Sequence, residues 1–253
     1  MSNRTLNPEP TLGTVAAAQL RLVTLLQKRD LLALAAIVIV LVGLALWGQA
    51  RMSSEDGGSG TIPIFSGLSV PLALLGLLWP IGVWRADSPE RRGYFWSLPV
   101  ERRSHTSLRV GIGWVVLIGV SLLIMATAAA SFIPSLIRFE DLRIDLARVW
   151  EPLATATLAY LIASIFAVLF ESPVRWMILG WVAVLGLYIV GEAADLDGLV
   201  ESVEDTVGSL FVAIGGPVVA DESVADWARQ YRIWLPIAAV GLVGALMWRH
   251  EER

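Results

Sequence analysis

Apolar residues in this chain gather in long unbroken runs rather than in the one-sided stripe of a soluble helix or the alternation of a half-buried strand. A bilayer core of about 30 Å is crossed by roughly 20 residues of helix, with every backbone group bonded inside the segment. Six stretches meet that requirement or come close to it: residues 31–50, 62–84, 110–133, 152–170, 176–190 and 233–248. The last two are short, but Arg175 and Arg232 can extend their charged heads to the interface, and Trp176 and Trp234 suit that depth. Pro71 and Pro80 lie inside the second stretch and predict a kink or a split there.

Amphipathic segments lie between and before these runs. In residues 1–30, Leu12, Val15, Leu22, Val23 and Leu26 fall on one side of a helical wheel and Thr14, Arg21, Thr24 and Lys28 on the other. This spacing predicts a helix lying in the membrane interface. Gln19 interrupts its apolar face, so the plain basic flank of a first span is the alternative. In residues 134–151, Phe139, Leu142, Leu146 and Val149 recur at helical spacing and predict a short interfacial helix. In residues 191–232, Leu199, Val203, Val207, Leu210 and Ile214 predict one half-buried helix. After the break at Gly215-Gly216-Pro217, Val224, Trp227 and Tyr231 predict a second, separate one before the last span. A solvated acidic loop is the alternative for this region.

Composition agrees with the pattern. The 253 residues are 56% hydrophobic, with a mean hydropathy of +0.67, more apolar than a soluble core of this length requires. The absence of cysteine excludes disulfides, thiolate metal sites and a thiol nucleophile. A net charge of -4 gives no reason to expect nucleic acid as a partner. No signal peptide is expected, because a long stretch of mixed polarity precedes the first apolar run.

The distribution of charge sets the orientation. With six spans both termini share a side, and most of the 19 Lys and Arg residues fall on it. Only Arg51, Arg138, Arg143, Arg148, Arg229 and Arg232 fall on the other. By the positive-inside rule the termini, the tail at 249–253 and the loop at 85–109 are cytoplasmic, placing the chain in a cytoplasmic (inner) membrane.

Candidate chemistry is sparse. Lys28, the sole lysine, stands in LLQKRD without the glycine-rich cradle that ATP phosphates need, so the chain is not expected to be an ATPase. His105 and His250 lack the spacing of a zinc site. The GGSG at 57–60 has no histidine base on its side of the membrane and reads as a flexible linker. No Asp, Glu, Lys, Arg or His falls within the six stretches, which argues against a proton relay. Ser69, Ser121, Thr127, Thr155, Thr157, Tyr160 and Ser164 are candidate path-lining hydroxyls, with bonds to their own helix carbonyls as the alternative.

The segment RADSPERRGYFWSLPVERRSHTSLR at 85–109 stands apart from this pattern. Ser88, Pro89 and Glu90 form a helix start, with a capping hydroxyl, a proline at the first position and an acid near the positive end of the dipole. A short helix is expected from about Pro89 until Pro99 stops it. Tyr94, Phe95 and Trp96 are consecutive and cannot share one helical face, so some are available to a partner and some to lipid headgroups. The basic flanks would also attract an anionic leaflet, and the residues alone leave docking and membrane anchoring as equal alternatives.

The run Glu90-Arg91-Arg92-Gly93, a few apolar residues, then Leu98-Pro99-Val100-Glu101-Arg102 resembles the loop between the second and third spans of permease subunits of type 2 ABC exporters. In that family an acid shortly before a glycine leads into a Leu-Pro-apolar-Ser/Thr-Arg segment. The resemblance extends to the amphipathic N-terminus, the six spans and the helical outside segment before the sixth. Glu101 departs from the usual Ser or Thr, and Tyr94 from the usual Thr after the glycine. The resemblance implies an all-α integral membrane permease whose 85–109 loop carries a coupling helix. Its contact residues would be Glu90, Gly93, Tyr94, Phe95, Trp96, Leu98, Pro99 and Arg102. It implies two separate ATP-binding subunits carrying ATP and magnesium, a second permease half in a homodimer or heterodimer, and no cofactor in this chain. The alternative is a non-transporting membrane subunit that anchors or assembles a larger complex.

Overall fold

The computed structural model describes residues 61–62, 65–85, 102–131, 143–144, 148–194, 196–216 and 224–251, together with the helical positions Gly13, Ala36, Ile39, Val40 and Gly43. Apart from those single positions, the expected interfacial helix at 1–30 and the first span at 31–50 lie outside the described residues. So do residues 86–101 and the last residues of the tail.

The described chain is all-helical apart from one short bridge. Its helices are α1 (Ser69–Arg85), α2 (Arg102–Ser131), α3 (Trp150–Leu169), α4 (Pro173–Ala193), α5 (Asp197–Gly215) and α6 (Val224–Glu251). Four stretches are long and apolar enough to cross a bilayer: Thr106–Ala130 in α2, Trp150–Leu169, Pro173–Ala193, and Val224–Trp248 in α6. The two-residue strands β1 (Thr61–Ile62) and β2 (Arg143–Ile144) pair in parallel, Thr61 opposite Arg143 and Ile62 opposite Ile144.

Helix α3 is the centre of the bundle. In lipid, apolar burial alone gains little, so close approach of small residues and hydrogen bonds hold helices together. Ala156, Ala159, Ala163 and Ala167 of α3 are all buried. Gly76 of α1 lies so close to this stripe that a Cβ there would meet the carbonyl oxygen of Ala156. Helices α1 and α3 run in the same direction, since Thr155 donates to the Ser69 carbonyl (3.3 Å) near one end and Gly76 meets Ala156 and Ala159 farther along. On another side α6 also runs parallel to α3, with Trp227 against Trp150 (ring centroids 4.7 Å) and Gly241 against Ile165. Helix α2 is antiparallel to α3, pairing Val110 with Tyr160 and Trp114 with Thr157. Leu72, Leu75, Trp79, Leu117, Met125, Tyr160, Val168 and Leu242 fill the core between them.

Helix α4 stands largely clear of this bundle. Of its 21 residues only Gly191 is buried, while Ile178, Val182, Leu185 and Ile189 are exposed, as befits a helix surrounded by lipid. Helix α5 folds back antiparallel to it, Gly191 meeting Leu199 and Val200 near the turn and Trp181 meeting Phe211 (5.2 Å) at the far end. The end of α5 docks onto the bundle. Trp227 donates from its indole N–H to the Ala213 carbonyl (3.2 Å), and Trp234 donates to the Ser209 hydroxyl (3.0 Å). At φ 80°, Gly216 takes the left-handed backbone that ends the helix and brings the chain against Ser69. Trp227→Phe, which keeps an aromatic ring but removes the donor, is expected to cost about 1 kcal/mol. A melting midpoint in detergent equal to that of the unchanged protein would contradict that role for the bond.

Several sequence expectations are corrected. The second stretch becomes a helix only from Ser69, with Thr61–Ile62 in β1 and a 3-10 turn at Ser66–Leu68 before it. Neither proline splits it: Pro71 falls in the first turn, where a missing N–H costs nothing, and Pro80 is accommodated inside. Within the interfacial helix expected over 134–151, Arg143–Ile144 is instead the strand β2 and α3 begins at Trp150, while 134–142 and 145–147 lie outside the described residues. Leu142, Arg143, Ile144 and Asp145 alternate apolar and charged, the period of a strand. The separate helix expected around Val224, Trp227 and Tyr231 is the beginning of α6, continuous with the last span. Its polar residues stay helical at no cost, with Arg229 and Asp226 in an exposed i,i+3 pair at 3.5 Å.

Candidate functional site

Of the residues expected to make the coupling contact, Glu90, Gly93, Tyr94, Phe95, Trp96, Leu98 and Pro99 lie outside the described residues. Arg102 is described as the first residue of α2. The structure thus shows the two ends of the 85–109 segment, where α1 stops at Arg85 and α2 starts at Arg102. Helix α2 begins well before Val110, so Arg109 lies within a helix and not in a loop.

The base of the segment is a knot of polar contacts within an apolar bundle. Arg109 is only 3% exposed, and its guanidinium donates to the carbonyl oxygen of Val83. Val83 is in the last turn of α1, where carbonyls have no partner within their own helix and a cation is favoured by the helix dipole. One residue on, the Val110 carbonyl accepts the Tyr160 hydroxyl of α3 at 2.6 Å. Gly113 makes room for that hydroxyl, since a Cβ there would stand 2.5 Å from it. Farther along the same interface the Trp114 indole N–H donates to the Thr157 hydroxyl at 3.3 Å. Three helices meet where the basic and aromatic segment enters and leaves.

The opposite end of the bundle carries a second polar group. Glu151 is fully buried in the first turn of α3, 3.8 Å from the Arg148 guanidinium. Its position at the helix start lets the dipole offset part of the desolvation of a carboxylate. Thr155, one turn on, donates to the Pro152 carbonyl (3.0 Å) as well as to Ser69.

The candidate path-lining hydroxyls separate into different roles. Thr127 and Thr157 donate to carbonyls of their own helices, Leu123 and Leu153, each at 2.8 Å. Thr155 and Tyr160 also bond across helices, as Thr157 does by accepting from Trp114, and Ser69, Ser121 and Ser164 are buried. No set of three or more His, Asp or Glu side chains forms a metal-binding group among the described residues. The sequence reading placed Arg109 and Glu151 just outside the spans; both are instead buried at the ends of membrane-length helices. The acceptor of Arg109 could not be read from sequence, because a backbone carbonyl carries no signature. Comparison of the chain with protein families, with curated proteins and with solved structures finds no match to any of them.

Proposed function

We propose that this chain is the transmembrane permease subunit of an ATP-driven exporter of the type 2 ABC class. The observation that carries the proposal is the run from Glu90 to Arg102, with its Leu-Pro step and its aromatic trio, set between two apolar helices. The anchoring of both ends of that segment in the bundle, through Arg109 and Tyr160, supports a mechanical use of it. In this reading six spans cross an inner membrane with both termini in the cytoplasm, the first formed by 31–50 and the second containing α1. A second permease half, identical or related, completes the path, and two ATP-binding subunits carrying ATP and magnesium seat on the coupling segments.

Closure of the ATP-binding subunits would push the segment and shift the helices between inward-open and outward-open arrangements. The energy available for this shift is the difference in how tightly the segment is held in the two states. Hydrolysis belongs to the partner, for this chain offers no phosphate cradle.

The topology is tested directly in a chain without native cysteine. A single cysteine replacing Ser97 should react with a membrane-impermeant maleimide only from the cytoplasmic side, and one replacing Ser59 only from the opposite side. Equal labelling of both from one side would overturn the orientation and with it the coupling role.

A further inference from the structure

We infer that Arg109, Gly113 and Tyr160 form a clamp that holds the end of α1 and the start of α2 to each other and to α3, so that a push delivered between them moves the three helices together. The inference deepens the permease reading and rests on it for the source of the push. Each member contributes a distinct piece of chemistry. Arg109 reaches from α2 to the end of α1 and caps a carbonyl, Val83, that α1 itself cannot satisfy. Tyr160 ties the adjoining residue of α2 to α3 through the Val110 carbonyl at 2.6 Å, using the second lone pair of an oxygen already within a helix. Gly113 keeps open the space the Tyr160 hydroxyl occupies.

The clamp sits where it can transmit motion. Without it, the end of α1 and the start of α2 would be held together by apolar packing alone, and a push delivered between them could be absorbed by sliding one helix against the other. With it, α1 and α2 are bound to each other and to α3, the helix on which α1 and α6 also pack. The contacts are buried among Trp79, Val83, Val110 and Tyr160, where water does not compete for the hydrogen bonds. Arg109 and Tyr160 are positioning residues, acting through the segment rather than on cargo.

Spin labels on cysteines replacing Ser107 of α2 and Leu78 of α1 report the Arg109 contact, and on Ser107 and Leu169 of α3 the Tyr160 contact, all three positions being exposed in a 253-residue chain otherwise free of cysteine. In lipid nanodiscs the unchanged clamp should give one narrow distance for each pair. Arg109→Gln in the first pair and Tyr160→Phe in the second should each add a second, longer population, and Arg109→Lys, which retains a cationic donor, should restore most of the narrow one. With the co-purified ATPase, magnesium-ATP and vanadate should shift the distance of the second pair in the unchanged protein. In Tyr160→Phe the ATPase should remain bound while that shift is lost. Narrow distances retained in both Arg109→Gln and Tyr160→Phe, or a nucleotide shift retained in Tyr160→Phe, would overturn the clamp. A label pair that responds as expected in nanodiscs, on a chain that retains no ATPase, would overturn the permease reading and the lever role while leaving the contacts themselves established.

Discussion

Gly76→Ala is expected to destabilise the protein by about 2–3 kcal/mol, whereas the same substitution at Gly119 should stabilise it by up to about 1 kcal/mol. Both glycines lie inside apolar helices, α1 and α2, and both lose backbone freedom on folding. Alanine restores helix propensity equally at the two positions. The difference lies in what the added methyl meets. At Gly119 nothing among the described residues lies within 4 Å, so the methyl meets open space. At Gly76 it meets the Ala156 carbonyl, backbone of the most buried helix, with the Ala159 Cβ at 3.2 Å behind it. A flexible side chain could rotate away, but a helix backbone must move as a unit, and moving α3 disturbs its contacts with α2 and α6. Melting midpoints of the two variants in the same detergent give the comparison, and a Gly76→Ala protein as stable as Gly119→Ala would contradict the close packing of α1 on α3.

That close packing was partly legible in the sequence and partly not. The apolar run around α3 was evident, and its bounds moved by only a residue or two. The role of the alanines as the surface that admits Gly76 depends on which face α1 presents, and α1 is apolar nearly all round, so the sequence offers no direction. The start of α6 was obscured by Asp226, Arg229 and Arg232, which mark where apolar residues end but not where a helix ends. Hydrogen bonding to the backbone continues through polar residues as readily as through apolar ones. The bridge between Thr61–Ile62 and Arg143–Ile144 joins residues far apart in sequence, and two residues carry too little pattern to declare themselves. The clamp was hidden for a different reason: Arg109 stood at the edge of a basic segment, where an exposed charge is the ordinary expectation, and its partner is a carbonyl. Tyr160 entered the reading only as one hydroxyl among several. The proposed coupling motif is the reverse case, carried in sequence by Gly93, Leu98 and Pro99 through a resemblance alone, while those residues lie outside the described ones.

The double substitution Phe95→Ala with Trp96→Ala is expected to weaken retention of the ATP-binding subunit by about a thousandfold. Aromatic anchors at the centre of an interface cost about 2 kcal/mol or more each when truncated, and two such losses together correspond to roughly three decades in affinity. The prediction rests on the permease reading, and insertion into the membrane should be unaffected because the segment lies between the apolar helices and not within them. Membrane anchoring makes the opposite forecast. If Tyr94, Phe95 and Trp96 only hold the segment to lipid headgroups, the double variant keeps whatever protein partner it has. Co-purification of the ATPase, read beside the amount of inserted permease, separates the two. An undiminished ratio in the double variant would remove these residues from the contact.

The intact mass of the complex purified in gentle detergent from its native membrane tests the central claim most directly. The permease reading predicts a species containing two permease halves and two ATP-binding subunits, dissociating to the permease halves when the 85–109 segment is altered. A stable assembly that contains this chain but no ATP-binding subunit would contradict it and make the chain a structural subunit, with the same aromatic segment as its docking face.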